Sequence, residues 1–175
     1  MTYRQVVDHV KQRQRLHRQK MTKPEDDWFP EAYFLRATGR LSHQGIPTPW
    51  FNNRDSKEAL VNEVFVPLVR WGGVRVFAFV VVMYMLEPEH PVAALIAERD
   101  EQGWESPTKG LPRFQDIEGS IEQLWVHVLD AERYEAWAAR IIRPKRGRPQ
   151  LAPFEMPTGP DMMTGMLDPV RLALR

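Results

Sequence analysis

The longest apolar stretch of the chain is VRVFAFVVVMYML, residues 74–86. β-Branched residues dominate it, and its uninterrupted part, residues 76–86, is far shorter than the roughly 20 residues that cross a bilayer as a helix. Both sets of alternating positions are apolar, which favours a strand covered on two faces over the alternative of a buried helix. We therefore predict a central buried β-strand whose cover comes from this chain or from a partner.

The segment before this strand has a helical pattern. Ser56 is the predicted N-cap of a helix over residues 57–71, in which apolar residues recur at steps of three and four. Pro67 lies inside the pattern and predicts a kink or an earlier end, because proline lacks the N–H that a helix interior uses. Gly72-Gly73 is typical of a helix C-terminus and marks the start of the strand.

Weaker patterns follow elsewhere. Residues 121–129 alternate and predict a second strand, residues 92–99 form a short helix or strand, and residues 30–41 fit a short helix that begins at Pro30. Residues 131–143 have two interpretations. We favour a helix capped by Asp130, and the alternative is a hairpin that turns near Glu132.

These elements predict an α+β fold with a small, mostly antiparallel sheet packed by helices. Its central strand is residues 74–86, a basic N-terminal helix lies at its margin, and an extended proline-rich tail ends the chain. We divide the chain into a basic N-terminal helix at 1–23, an α+β core at 24–143 and a C-terminal extension at 144–175 that packs on the core.

Composition limits the kinds of site and the cellular locations that we expect for this domain. The 175 residues are 43% hydrophobic and include no cysteine, so disulfides and thiolate metal sites are excluded. The N-terminus lacks the apolar core of a secretory signal, so we expect a cytoplasmic protein that does not enter membranes. Arginine outnumbers lysine, which indicates a high-GC genome such as that of a bacterium or phage.

Charge is distributed unevenly although the formal net charge is only +1. Basic residues concentrate in residues 4–23 and again in residues 140–148, with acidic residues between them. The second cluster contains the string RPKRGRP at residues 143–149. This string resembles the AT-hook, whose Arg-Gly-Arg-Pro core lies in the minor groove of A·T-rich DNA. The resemblance implies DNA contacts from Arg143, Lys145, Arg146, Gly147, Arg148 and Pro149, and the alternative is a solvated turn.

Two other features suggest a binding surface. Trp50 and Phe51 lie in a segment rich in turn formers, residues 42–55, where exposed aromatics would contact a partner. The alternative is that they anchor this loop to the core. Arg13 and Arg18 lie on the basic helix and would contact an acidic partner or phosphates.

Evidence for enzyme chemistry is thin. The five histidines show no metal-ligand spacing, and His127 alternates with apolar residues as a core histidine does. Asp55-Ser56-Lys57 matches half of a metal-dependent nuclease pattern, but at a helix start. We expect no catalytic residue, no metal and no cofactor, and we consider an enzyme the less favoured class.

Three functional hypotheses remain. The leading one is a small non-catalytic binding or accessory protein that acts through protein–protein contacts or self-association. The first alternative is a DNA-associated protein that uses basic segments 4–23 and 143–149. The second is a metal-dependent nuclease or hydrolase.

Overall fold

A computed structural model describes residues 1–51, 54–104, 106–157 and 164–175 of the chain. Its centre is a curled antiparallel sheet of six strands in the order β2-β1-β3-β4-β5-β6. The α+β class and the antiparallel sheet predicted from the sequence are confirmed. The strands are β1 (Glu31–Arg36), β2 (Leu41–Gly45), β3 (Val74–Met85), β4 (Ile121–Leu129), β5 (Tyr134–Ile142) and β6 (Gln150–Leu151).

Strand β3 lies at the centre of the sheet, as its apolar pattern predicts. It pairs with β1 on one side and with β4 on the other. Val76, Ala78 and Val80 point to one face, while Phe77 and Phe79 point to the opposite face, and all five are buried. Each face has its own core cluster built from this chain. The cover that the two apolar faces require therefore comes largely from the chain itself.

Helix α1 (Tyr3–Lys20) covers the first face. It begins with a capping box between Thr2 and Gln5, which satisfies backbone donors that a helix N-terminus leaves unpaired. Val6, Val7 and Val10 are fully buried, so the helix docks through its first half. Most of its charged residues lie along the solvent side of the second half.

A helical stretch covers the second face. It consists of α2 (Arg54–Ala59), a π-helical segment (Leu60–Phe65) and α3 (Val66–Gly72). The helix does not end early at Pro67, and the segment before this proline is π-helical, with the Val66 N–H reaching back to the Val61 carbonyl. A wide turn next to proline accommodates the missing donor without ending the helix. Gly73 ends α3 with φ of +59°, the left-handed conformation that favours glycine.

The predicted helix over residues 30–41 is wrong, because this segment forms β1 and the turn to β2. Ala32, Tyr33, Phe34 and Leu35 are all buried, alternately against the two core clusters. A strand covered on both faces has no alternation of apolar and polar residues, so its pattern resembles that of a short helix. Part of the predicted loop at 42–55 is also strand β2.

The favoured helix over residues 131–143 is wrong as well, and the hairpin alternative is correct. The Asp130 carboxylate accepts from the backbone N–H groups of Glu132 and Arg133 at 2.9 and 2.7 Å. A helix N-cap would make the same two contacts, so the local signal does not separate a cap from a turn. Pairing of β5 with β4 decides for the hairpin.

The C-terminal extension is only partly extended. Residues 144–157 carry the short strand β6, whereas Thr164–Ala173 form helix α5 instead of the expected extended chain. Leu167 and Val170 are spaced for one helical face and are buried against the second core cluster. The stabilisation from burying this face exceeds the cost of having Pro169 inside the helix.

Residues 86–120 connect β3 to β4 and include helix α4 (Pro91–Glu101). Of the two predictions for residues 92–99, the helix is therefore correct and the strand is not. None of the residues of α4 is buried. Within the described ranges, no helix is long and apolar enough to cross a membrane.

Candidate functional site

The fold brings together the two basic segments that the sequence separates. The Arg148 guanidinium, in the connection between β5 and β6, donates to the Gln19 carbonyl at 3.3 Å. Gln19 belongs to the last turn of α1, where the backbone carbonyls receive no hydrogen bond from an N–H of the same helix. The end of α1 and Arg148 of the segment 143–149 therefore share one surface.

A shallow cleft of about 300 Å³ lies on this surface. We call it the basic cleft. Arg15, Arg18 and Gln19 of α1 line one side, and residues 151–153 line the other. Leu151, Ala152 and Pro153 make this second side apolar, so the cleft combines two guanidinium groups with a hydrophobic wall.

The cations around the basic cleft share one property. Among the residues that the structure describes, none of them has a carboxylate within salt-bridge distance. They are Arg15 and Arg18, which line the cleft, and Arg148, which contacts Gln19 beside it. Unpaired cations close together repel one another, so an anion bound among them gains from all of them.

Arg15 is held in place by an aromatic contact. Its guanidinium carbon lies 5.8 Å from the centre of the buried Phe154 ring. Lys11, one turn earlier, lies 3.5 Å from the centre of the Trp137 ring. Burial, followed by the nearby charge of Arg4, lowers the pKa of Lys11. These contacts orient the cationic face of α1 over the edge of the sheet.

Arg143 has a different role from the other basic residues of its segment. It forms the centre of what we call the Arg143 clamp. Its Nε and one terminal nitrogen contact the Glu122 carboxylate at 2.6 and 2.5 Å, and that terminal nitrogen lies 3.1 Å from Asp27. The other terminal nitrogen donates to the carbonyls of Pro24 and Asp26 at 2.7 and 2.9 Å.

The clamp ties the end of β5 to β4 and to the turn after α1. The hydrogen bonds that Arg143 donates to the Glu122 carboxylate raise the pKa of Arg143, so this guanidinium stays charged. Burial raises the pKa of Asp27. Because the donors of Arg143 are satisfied internally, this arginine contributes to the fold and not to the exposed cationic surface.

The remaining residues of the AT-hook-like string form the connection between two paired strands. Gly147 adopts φ of +86°, which fits a turn. Pro149 is buried, whereas Lys145, Arg146 and Arg148 are exposed. DNA contact by this string remains a prediction, and the structure places three of its cations at the solvent.

The other proposed partner-binding residues are separated by the fold. Trp50 and Phe51 form part of a 3-10 turn, Thr48–Phe51, and are half-buried against the second core cluster. The Phe51 ring stacks at 6.0 Å on Phe79. Arg13 pairs with Glu31 at 3.7 Å and contacts His43 at 2.7 Å, so only Arg18 lies in the basic cleft.

A polar network lies beside Arg13 under α1. The buried Gln14 side chain donates to Glu31 at 3.0 Å and to the Tyr33 hydroxyl at 3.1 Å, and Tyr33 donates to Glu31 through a short hydrogen bond. Burial alone would raise the pKa of Glu31, but the hydrogen bonds from Tyr33 and Gln14 and the charge of Arg13 lower it below its ordinary value. Burial raises the pKa of Tyr33.

The residues considered for catalysis lie apart. His127 is fully buried, and its Nδ1 lies 2.7 Å from the Tyr134 hydroxyl, consistent with a core histidine. Asp55 is exposed at the start of α2. In the described part of the chain, no group of three or more His, Asp or Glu side chains is placed to hold a metal ion.

The sequence predicts Arg18 and the segment 143–149 as binding residues, includes Arg15 only as part of the basic segment 4–23, and does not predict the apolar wall. Arg15 and Arg18 are three residues apart on a helix, a spacing that places them on one face. That signal was available in the sequence. The wall at residues 151–153 depends on strand pairing and had no local signal.

Comparisons with known proteins do not identify this cleft. No protein-family model matches the chain, and neither the curated proteins nor the solved structures include a significant match.

Proposed function

We propose that the protein is a non-catalytic binding protein that holds an acidic segment of a protein partner in the basic cleft. The observation that carries this proposal is that Arg15 and Arg18, which have no carboxylate partner among the described residues, line one cleft, and that Arg148 is hydrogen-bonded to Gln19 of the same cleft. Interfaces depend on complementary charge for the choice of partner and for the rate of association.

The apolar wall favours a polypeptide as the partner. Leu151, Ala152 and Pro153 offer hydrophobic contact beside two guanidinium groups, and arginine forms bidentate hydrogen bonds with carboxylates. A surface that binds only phosphate groups would gain no affinity from such a wall, because contacts to phosphate oxygens are polar.

Binding of labelled poly-L-glutamate, followed by fluorescence anisotropy, tests the proposal. We expect binding that weakens as salt rises from roughly 0.05 M to 0.2 M, because exposed charges are screened. The Arg15→Gln/Arg18→Gln variant should bind at least roughly tenfold more weakly, a loss typical of removing two complementary charges.

A matched control removes two charges elsewhere. Arg40 lies in the turn between β1 and β2, at the opposite edge of the sheet, and Arg70 is exposed on α3. The Arg40→Gln/Arg70→Gln variant has the same net charge as the cleft variant and should bind like the unmodified protein. Equal weakening in both variants would reject the cleft as the site. Tighter binding of a DNA duplex than of poly-L-glutamate would favour the DNA hypothesis instead.

A further inference from the structure

The wall of the basic cleft is also an edge of the sheet. β6 is the last strand in the order β2-β1-β3-β4-β5-β6, so no strand of the described residues neighbours its other side. Edge strands present unpaired N–H and C=O groups that can pair with another extended chain.

The pairing of β6 shows which peptide groups are free. Gln150 pairs with Ile142, and the Ala152 N–H donates to the Arg140 carbonyl at 2.9 Å. Because antiparallel pairs alternate, the residue between them, Leu151, directs its N–H and C=O away from β5. Across residues 1–51, 54–104, 106–157 and 164–175, no hydrogen bond to these two groups occurs.

The Leu151 side chain identifies the face on which a partner residue would lie. It packs against the core cluster that contains Val10 of α1, so it points to the α1 face of the sheet. In an antiparallel pair, directly opposite residues project to the same face. A residue paired with Leu151 would therefore project toward the face that carries Arg15 and Arg18.

We propose that the basic cleft binds its acidic partner as an added antiparallel β-strand, with a Glu or Asp residue paired to Leu151 and its carboxylate held by Arg15 and Arg18. This inference rests on the proposed function and specifies its geometry. Main-chain hydrogen bonds at Leu151 supply affinity, and the two arginines select the acidic side chain. The cleft between these arginines and Leu151 has a volume of about 300 Å³.

N-methylated peptides test the proposal directly. The probe is a short labelled peptide of alternating Glu and Val, whose Glu residues share one face and also direct their N–H groups to one edge. Methylation of the Glu nitrogens removes the donors that would pair with Leu151, whereas methylation of the Val nitrogens removes donors on the opposite edge. Both analogues keep the same charge and the same number of methyl groups.

We expect Glu methylation to weaken binding by roughly tenfold relative to Val methylation, since it removes main-chain hydrogen bonds and obstructs pairing. Binding of the unmodified peptide should also slow hydrogen exchange at the Leu151 amide. The Arg15→Gln/Arg18→Gln variant should lose preference for this peptide over one with Gln in place of Glu.

The outcomes separate the two proposals. Equal binding of the two methylated peptides, with unchanged exchange at Leu151, would overturn strand addition while the acidic partner stands. Failure of both the peptide and poly-L-glutamate to bind would overturn the proposed function as well. Preferential binding of a DNA duplex at the same arginines would overturn the polypeptide partner and leave a nucleic-acid site.

Discussion

The Arg143 clamp and the basic cleft use the same residue type in opposite ways. Arg143 is enclosed by Glu122, Asp27 and two backbone carbonyls, and its side chain is only 28% exposed. Arg15 and Arg18 have no carboxylate partner among the described residues, although both face the cleft. One arginine stabilises the fold, and the other two leave their charge available to a ligand.

This difference shows why a basic string should not be interpreted as one unit. RPKRGRP reads as a single cationic element in the sequence, yet its first arginine is an internal contact and its last proline is buried. Its exposed cations gain a neighbouring cationic surface only because Arg148 meets the end of α1. The partners of each arginine determine its role.

Removal of the clamp should have the largest effect. Arg143→Ala leaves the nearly buried Glu122 carboxylate without its guanidinium and two carbonyls without a donor. We expect a loss of about 2 to 3 kcal/mol in the free energy of unfolding, below the range for a fully buried pair because Arg143 is partly exposed. Urea denaturation followed by tryptophan fluorescence measures it.

Arg40→Ala serves as the control for this variant, because Arg40 is exposed in a turn and should change stability by less than about 0.5 kcal/mol. A loss of similar size in both variants would mean that the clamp adds nothing beyond the general effect of removing an arginine.

The sequence predicted the parts of the fold whose signal is local. Residues 74–86 are recognisable because a run of β-branched and aromatic residues has few other interpretations. β1 was missed because Ala32–Leu35 are buried on both faces and show no alternation. β5 was predicted only as the less favoured alternative, because Asp130 makes the same hydrogen bonds in a turn as in a helix cap. In both cases the deciding contact is made with a strand distant in the sequence.

The candidate site was predictable only in part for the same reason. Charge clustering identified Arg18 and residues 143–149 without the structure. The proximity of Arg148 to Gln19 and the outward peptide group of Leu151 depend on tertiary pairing and register. The separate role of Arg143 depends on Glu122 and Asp27, which no spacing rule connects to it.

Arg13 lies on α1 like the two cleft arginines, but it is paired with Glu31. Removal of the Glu31 charge should change the free energy of unfolding by an intermediate amount. Its partner Glu31 has a lowered pKa, so the stability that this carboxylate contributes is complete above its ordinary value of 4.5 and is lost as pH falls through the lowered folded-state pKa. Glu31→Gln keeps an acceptor for Tyr33 and Gln14 but removes the charge. We expect it to cost about 1 kcal/mol near neutral pH.

The pH dependence distinguishes charge from packing at this position. The stability difference between Glu31→Gln and the unmodified protein should shrink between about pH 7 and about pH 3, because below its ordinary pKa of 4.5 Glu31 takes up a proton in the unfolded chain before it does so in the folded protein. Urea denaturation at both pH values provides the measurement. A difference that stays constant with pH would show that the network depends on shape and not on the carboxylate charge.

The smallest stability effect should come from the cleft arginines themselves. Arg15→Gln/Arg18→Gln removes one exposed cation–π contact and one charge near the C-terminus of α1, each worth a few tenths of a kcal/mol. We expect the free energy of unfolding to change by less than about 1 kcal/mol, measured by the same urea titration. A loss as large as that of Arg143→Ala would show that these arginines also hold the fold together. A small change, together with weakened poly-L-glutamate binding, would assign them to the ligand, since residues kept for recognition contribute little to the stability of the free protein.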